Sequence, residues 1–566
     1  MFKRLLKRIP AGPNGIAAFA LIAFAVILRV ILAANHWPLT DSDEGTMGLE
    51  AMHIAFRGAH PIFLYGQNYM GVIEAYVGAA FFRLFGVSLF TLRLGMIFLF
   101  ALFLVSLYLL ASLLYTRRLA LVALALLSVG AVNIILPELR AVGGALETLL
   151  FGTLSLLLTT WLALTAGPGQ QERLRARRLL AYGGWGLVVG LGLWSHLLVA
   201  PFVLAGAVIL LSFCRREWRT WAIPCILGGF LIGGFPLIYY NLTAPLSQNS
   251  LVVALTIGSA SNTGVAVSRV PFIEHIVGTF LYSLPIASGF NPICSLQDLP
   301  MFGPTGSNTA LCSIVQGGWS LGYMALLALT VAMSAVPLWQ LRRSRKAADV
   351  APRTDADAQE TYRTTVIHVA RLMLAGCAVL TILLFVASPL SAEKPWSTRY
   401  LIGLLIALPA VIWPLWRGIG SGILTSKRSR FWLACRYALI LLVGFVYLAG
   451  MISIAQAIPN AQTTYQHDQQ LVHDLEQRGI VRFYSDYWTC DRLSFLSQEQ
   501  IICSVVDINL HPGLNRYTPY MAIVAADPKA SYVFLSGSFT NAADHNPALS
   551  HYQRIVLDGY VVYKPR

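Results

Sequence analysis

Apolar residues in this chain gather in long unbroken runs, unlike the short alternating patterns of a soluble domain. Runs near 15–34, 93–115, 119–137, 143–165, 221–240, 318–340, 365–388, 398–416 and 433–455 each approach the roughly 20 residues that cross a bilayer. The stretch Tyr182–Phe213 is too long for one crossing and reads as two short helices meeting around Ser195–His196. The pattern therefore predicts eleven spans. The first run follows MFKRLLKR and lacks a small-residue cleavage site, so it reads as a retained span.

Charge gives these runs a direction. Segments 1–14, 116–118, 167–180, 214–220, 341–363 and 417–432 hold 23 of the 41 Lys and Arg, whereas the short segments between them hold Arg57, Arg83, Arg140, Arg269 and Lys394. Basic residues collect on the cytoplasmic side. The N-terminus is therefore expected in the cytoplasm and, with eleven spans of the plasma membrane, the C-terminus outside. The stretch GVIEAYVGAAFFRLFG is nearly apolar enough to span, but that would move Arg117 and Arg118 outside, so it is expected as a helix on the outer surface. Composition agrees: 56% of residues are hydrophobic and 12% charged, against about 45–50% and 25% in soluble proteins. That excludes a soluble enzyme, a disordered chain and a fibrous one. The net charge of +15 belongs to the positive-inside bias and does not call for nucleic acid.

The pattern changes after Pro459. Short apolar runs at Ile480–Tyr484, Ile501–Val506, Met521–Val524, Tyr532–Leu535 and Ile555–Tyr563 predict strands, and Thr463–Gln477 predicts an amphipathic helix closed by Gly479. The expected architecture is an α-helical polytopic membrane domain over 1–455. Its outer segment 35–92 carries surface helices, and 241–317 forms an outer loop region. A small extracytoplasmic α/β domain over 456–566 completes it. The eight cysteines form no CxxC pair and no zinc spacing. Cys214, Cys225 and Cys435 map near cytoplasmic span ends, and Cys377 lies inside a span. Cys294 with Cys312, and Cys490 with Cys503, fall outside, where disulfides persist. Each would close a loop of about 15 residues and contribute roughly 3 kcal/mol. Buried thiols on neighbouring elements are the alternative for Cys490 and Cys503.

Candidate chemistry lies on the outer face, which collects Asp41, Asp43, Glu44, Glu50, Glu74, Glu138 and Glu147. The run Asp41-Ser-Asp-Glu44 follows the first span in WPLTDSDEGTMG and has two readings. One is a helix N-cap with an acid-rich first turn, which the helix dipole favours. The other is a carboxylate base at the membrane surface, taking the proton of a hydroxyl that attacks a lipid-linked sugar. The departing phosphate is an anion and needs positive charge or aligned donors. Arg140, His196, His275 and Arg399 are the candidates on that face. Each also has a plainer reading: a satisfied histidine at a helix end for His196, snorkelling for Arg399. In the tail, YSDYWTCDRLSFLSQE and NRYTPY set aromatics beside Arg and acids, which suits either glycan binding or a strand core.

A DE pair just after the first span, surface helices ending in LFG, and an aliphatic span followed by basic residues together resemble the GT-C glycosyltransferases. The nearest types are the protein O-mannosyltransferases, the aminoarabinose transferase of lipid A modification and bacterial Rgt-like transferases. HPIFLYGQNYMGVIEAY, GLGLWSH, FPLIYYNL and STRYLIG carry the likeness over roughly 35–245 and, more thinly, 390–416. The resemblance implies a GT-C membrane fold. It also implies inverting transfer of a sugar from a polyprenyl-phosphate donor to a hydroxyl of a cell-surface glycan, lipid or protein. It assigns the base to Asp43, the first acid of the DE pair, with Glu44 beside it and Asp41 as an extra acid. Glu138 or Glu147 stands for a second-loop acid, and Glu74 substitutes in a region where the aminoarabinose enzymes have Glu-Lys-Pro. His196 occupies the place of a lysine, and Arg140, His196 and Arg399 would hold the donor phosphate. No metal is assigned, although some GT-C enzymes hold a divalent cation between acids of separate loops. The rivals are a lipid or polysaccharide transporter, which would place ionisable groups along a mid-membrane path, and a catalytically inactive glycan-binding membrane protein.

Overall fold

The long apolar runs fold as helices. In the computed structural model, which describes residues 12–167, 174–256, 271–290, 310–347, 355–392, 395–416 and 427–566, seven helices are long and apolar enough to cross a membrane. They are Pro13–Ala34, Leu89–Leu114, Ala145–Leu164, Ala222–Thr243, Leu311–Arg343, Asp357–Ala387 and Arg430–Gln477. Two bent pairs, Arg117–Val129 with Val132–Leu139 (80°) and Ser397–Leu405 with Leu408–Trp416 (53°), bring the number up to nine if each pair is one broken span. The predicted count of eleven is not reached by length and composition. The overlong run Tyr182–Phe213 is a hairpin of Arg175–Ser195 and the shorter apolar helix Leu197–Phe213. Its first helix opens on three arginines and its second is short. His196, with extended backbone angles (φ −165°, ψ 141°), separates them.

Glycine lets Arg175–Ser195 pack backbone to backbone on Ala222–Thr243. A methyl on Gly186 would lie 2.1 Å from the Ile226 carbonyl oxygen, and one on Gly229 would lie 2.0 Å from that of Gly183. Small residues serve such close approach inside membranes, where apolar surface alone gives helices no reason to associate.

The chain divides into two compact units. The first comprises Met1–Val26, Leu99–Ile135 and Gly144–Ile454, and the second Ile27–Phe98, Leu136–Gly143 and Ala455–Arg566. The second unit contains the helices Ser42–Arg57 and Ile73–Phe85. The latter has 13 residues, about 20 Å of helix against a hydrocarbon core of about 30 Å. It is too short to span.

In the tail, the predicted span 433–455 and the predicted amphipathic helix are one continuous helix, Lys427–Gln477. Pro459 interrupts its hydrogen bonding without ending it, because no glycine or turn cluster accompanies the proline. Gly479 (φ 69°) ends it. Five strands follow: β1 Arg482–Ser485, β2 Ile502–Val505, β3 Ser531–Leu535, β4 Tyr552–Leu557 and β5 Tyr560–Pro565. They form a sheet in the order β2-β1-β3-β5-β4. β1 runs parallel to β2 and β3, and β5 runs antiparallel to β3 and β4. Leu471, Leu475, Phe483, Leu493, Ile501, Val533 and Val562 form its core.

Two predicted strands need correction. Met521–Val524 lies in the helix Pro519–Ala525, which Pro519 initiates. Ile555–Tyr563 is a hairpin, because Asp558 and Gly559 take positive φ (45° and 81°) and turn the chain. Cys490 and Cys503 are joined by a disulfide that ties the helix Tyr487–Leu496 to β2. Cys312 is disulfide-bonded as well; Cys294 lies outside the described residues. Cys214, Cys225, Cys377 and Cys435 are free thiols.

Candidate active site

The site is built on the first turn of Ser42–Arg57. Asp41 is its N-cap: Oδ1 accepts from the Glu44 amide at 3.0 Å, leaving Asp43 and Glu44 inside the first turn where the helix dipole favours anions. Asp41 Oδ2 also pairs with Arg140 Nη1 at 2.7 Å. Arg140 donates from Nη2 to the Leu39 carbonyl at 2.5 Å, so this pair straps the loop before the helix. Burial pushes the Asp41 carboxyl up; Arg140 opposes that and Asp43 adds to it.

Glu44 has a different role. Arg93 Nε and Nη2 grip its two oxygens at 2.9 and 2.7 Å, and both side chains are 0% exposed. The geometry pairs the enclosed Glu44 carboxylate with Arg93. Glu138 is similar: Arg29 Nη2 lies 2.6 Å from its Oε2, and both groups are 0% exposed. This geometry commits Glu138 to Arg29.

Asp43 keeps its side chain 16% exposed and meets two residues of the tail. Arg516 Nη2 donates to Oδ1 at 2.7 Å and the Tyr487 hydroxyl donates to the same oxygen at 2.5 Å. Arg516 Nε in turn donates to the Tyr487 oxygen at 2.5 Å. With its amide suitably oriented, Gln67 accepts from Arg516 Nη1 and Nη2 at 2.6 and 2.9 Å. Burial pushes the Tyr487 phenol up, and Asp43 pushes it further. Burial opposes the charge on Arg516, but Asp43 and Tyr487 outweigh it and hold the guanidinium firmly protonated.

The remaining contacts fix the register of the helix pair. Thr46 donates to Asp491 Oδ2 at 2.6 Å, and burial pushes the Asp491 carboxyl up to about 6. Further along, His53 and Arg57 both contact Glu499, which also accepts from Tyr520 at 2.6 Å.

Glu74 is buried and accepts from the Gly143 amide at 2.9 Å. Gly143 and Gly144 both have positive φ (80° and 82°). Glu50 is fully buried, which pushes its carboxyl up to about 9. In the first unit, Glu147 is buried in the first turn of Ala145–Leu164. His196 packs its ring on Gly144, where a methyl would approach Cδ2 to 2.6 Å, and its Nδ1 accepts from the Leu198 amide at 3.1 Å. The Tyr400 ring lies 6.3 Å from it, and the Arg399 guanidinium covers Tyr400 at 5.3 Å. His196 and Arg399 thus both lie against the Tyr400 ring. His275 faces the Val386 carbonyl at 3.1 Å. Among the described residues, no three His, Cys, Asp or Glu side chains gather as a metal site.

No family model and no curated protein sequence matches this chain. Solved structures do resemble it. ArnT from Cupriavidus metallidurans in the apo state covers 96% of this chain and 97% of its own, with a TM-score of 0.53 at 13% identity. The same protein bound to undecaprenyl phosphate covers 98% of each chain, with a TM-score of 0.50 at 12% identity. The chain is a polytopic α-helical membrane protein with a GT-C fold. Within that class, its fold is similar to that of ArnT, an aminoarabinose transferase, from the first span through the C-terminal sheet.

Proposed function

We propose that the protein is a membrane glycosyltransferase that moves a sugar from a polyprenyl-phosphate donor to an acceptor hydroxyl at the outer surface, with Asp43 as general base. The observation that carries this reading is the Asp43 carboxylate. It lies in the first turn of the helix after the first span, stays partly exposed, and is oriented by Arg516 and Tyr487 through one oxygen. Asp41 and Glu44, its neighbours, hold backbone and Arg93 instead. The likeness of fold to a protein captured with undecaprenyl phosphate supports a lipid-phosphate donor.

In the proposed step the acceptor O–H bond breaks and its proton passes to Asp43. The acceptor oxygen bonds to the anomeric carbon from the face opposite the phosphate. The carbon–phosphate-oxygen bond breaks, and its electron pair leaves with the polyprenyl phosphate, which inverts the anomeric centre. The phosphate leaves as an anion and needs no proton, only positive charge. Arg399 is assigned to supply that charge, with Arg140 as a further cation, and His196, whose Nδ1 accepts from the Leu198 amide, is assigned as a neutral hydrogen-bond donor to the phosphate. The acceptor is a glycan, lipid or protein of the cell surface, in a plasma membrane whose cytoplasmic side holds the N-terminus.

The test is turnover of polyprenyl-phosphate sugars by purified protein, read as transfer or hydrolysis. Asp43→Asn keeps the size and hydrogen bonding of the side chain and loses its basicity. It is expected to lower turnover by about a hundredfold or more. Near-normal turnover in Asp43→Asn, with loss in Asp41→Asn, would move the role to Asp41.

A further inference from the structure

The two tail segments that set aromatics beside charge each send one side chain to the same carboxylate. Tyr487 comes from YSDYWTC and Arg516 from NRYTPY. Each lies more than four hundred residues from Asp43 in sequence, at separations of 444 and 473. A guanidinium whose side chain is 6% exposed is expensive to bury unless it is matched. Here it is matched by one carboxylate oxygen, one phenol oxygen and one amide oxygen. Its supporting helix is seated without slack. A methyl on Gly45 would lie 2.5 Å from the Asp491 carbonyl oxygen, and one on Gly48 would lie 2.5 Å from the Phe495 ring.

We infer that Arg516 and Tyr487 are positioning residues for Asp43, so that the C-terminal α/β region is part of the catalytic apparatus. This rests on Asp43 being the base. Arg516 holds the carboxylate ionised and fixes the direction of Oδ1, and Tyr487 links the two by donating to one and accepting from the other. Paired this way, the base is ready at lower pH than a lone carboxylate in the same place. The charged and titratable groups around Asp43 are Arg516, Tyr487, Asp41 with its partner Arg140, and Asp491. Of these, Arg516 makes the direct ion pair.

The experiment is the pH profile of turnover for the full-length protein in detergent or nanodiscs, with a polyprenyl-phosphate sugar as donor. Arg516→Gln is expected to move the acid limb upward by about one to three pH units, the effect of removing an arginine beside an aspartate. It is also expected to lower the plateau rate by about tenfold or more through lost orientation. Arg516→Lys keeps the charge and is expected to leave the limb near its wild-type position with partial rate. Tyr487→Phe is expected to lower the plateau with a smaller movement of the limb. A wild-type limb and plateau in Arg516→Gln overturn the inference. Where that variant does not fold, Arg516→Lys and Tyr487→Phe decide it, and unchanged plateaus in both overturn it. Asp43→Asn separates the two ideas. If it is inactive while Arg516→Gln matches wild type, only the positioning role fails. If it is active, the assignment of the base fails first.

Discussion

Replacing Gly45 by alanine adds one methyl group where there is no room for it. That carbon would lie 2.5 Å from the Asp491 carbonyl oxygen and 2.7 Å from the Arg492 amide nitrogen. Comfortable contacts lie near 3.5–4.0 Å, about an ångström further out. The obstacle is backbone, so it cannot rotate aside, and Ser42–Arg57 must part from Tyr487–Leu496. Overpacking of this kind costs about 1–3 kcal/mol. The gain from replacing a helical glycine offsets about 1 kcal/mol. Strain on the Thr46 bond to buried Asp491 adds about 1 kcal/mol or more. The net loss of stability is about 1–3 kcal/mol. The effect on turnover is larger, because the same displacement pulls Asp43 off Tyr487 and Arg516, and a shift of about 1 Å costs up to about a hundredfold. Thermal unfolding in detergent and turnover of a polyprenyl-phosphate sugar measure the two effects. Gly444→Ala is the control, since a methyl there meets nothing within 4 Å. Gly45→Ala with wild-type turnover and unfolding temperature would refute the seating of the tail on this helix.

Two other perturbations follow from the same geometry. Burial pushes the Asp491 carboxyl up to about 6, against about 3.9 in an unfolded chain. The folded protein then holds a proton that the unfolded one has released, so this group makes stability fall as pH rises from about 4 to 6, by at most about 3 kcal/mol. Asp491→Asn removes that slope, and its advantage over wild type should grow with pH across that window; parallel stability curves would contradict it. For topology, cysteines placed singly at Arg117 and Gln470, both exposed, are treated with an impermeant reagent in intact cells. Labelling is expected at position 470 alone, and labelling at 117 would break the proposed orientation.

What the sequence made legible was whatever a local pattern encodes. Hydropathy runs located the long apolar helices, because the bilayer imposes that rule residue by residue. The break at His196 showed as a run too long for one crossing. The Asp-Gly pair at 558–559 was an available hairpin signal within the run Ile555–Tyr563, and the Pro519 start of a helix was another. What local pattern could not supply was the pairing of charges. Arg93 and Arg29 lie inside apolar runs, where they look like anomalies. Their partners Glu44 and Glu138, 49 and 109 residues away, become visible only in three dimensions. Arg516 and Tyr487 stood in segments already notable for aromatics beside charge, yet nothing in those segments points to residue 43.

The four residues Asp41 to Glu44 show why the composition of a motif does not assign its chemistry. Three carboxylates within one turn share almost the same field from the helix dipole. Their surroundings differ. Asp41, at the cap, satisfies a backbone amide with one oxygen and Arg140 with the other. Glu44 turns inward to Arg93 in a site with no exposure at all. Asp43 turns toward the tail, where its two donors meet a single oxygen and the side chain remains 16% exposed. The three carboxylates find different partners within one turn because successive residues of a helix point about a hundred degrees apart; Asp41 and Asp43 are both partly exposed, at 22% and 16%, and Glu44 is enclosed. The cap reading and the catalytic reading of this run are therefore compatible: Asp41 forms the helix end that fixes where Asp43 points.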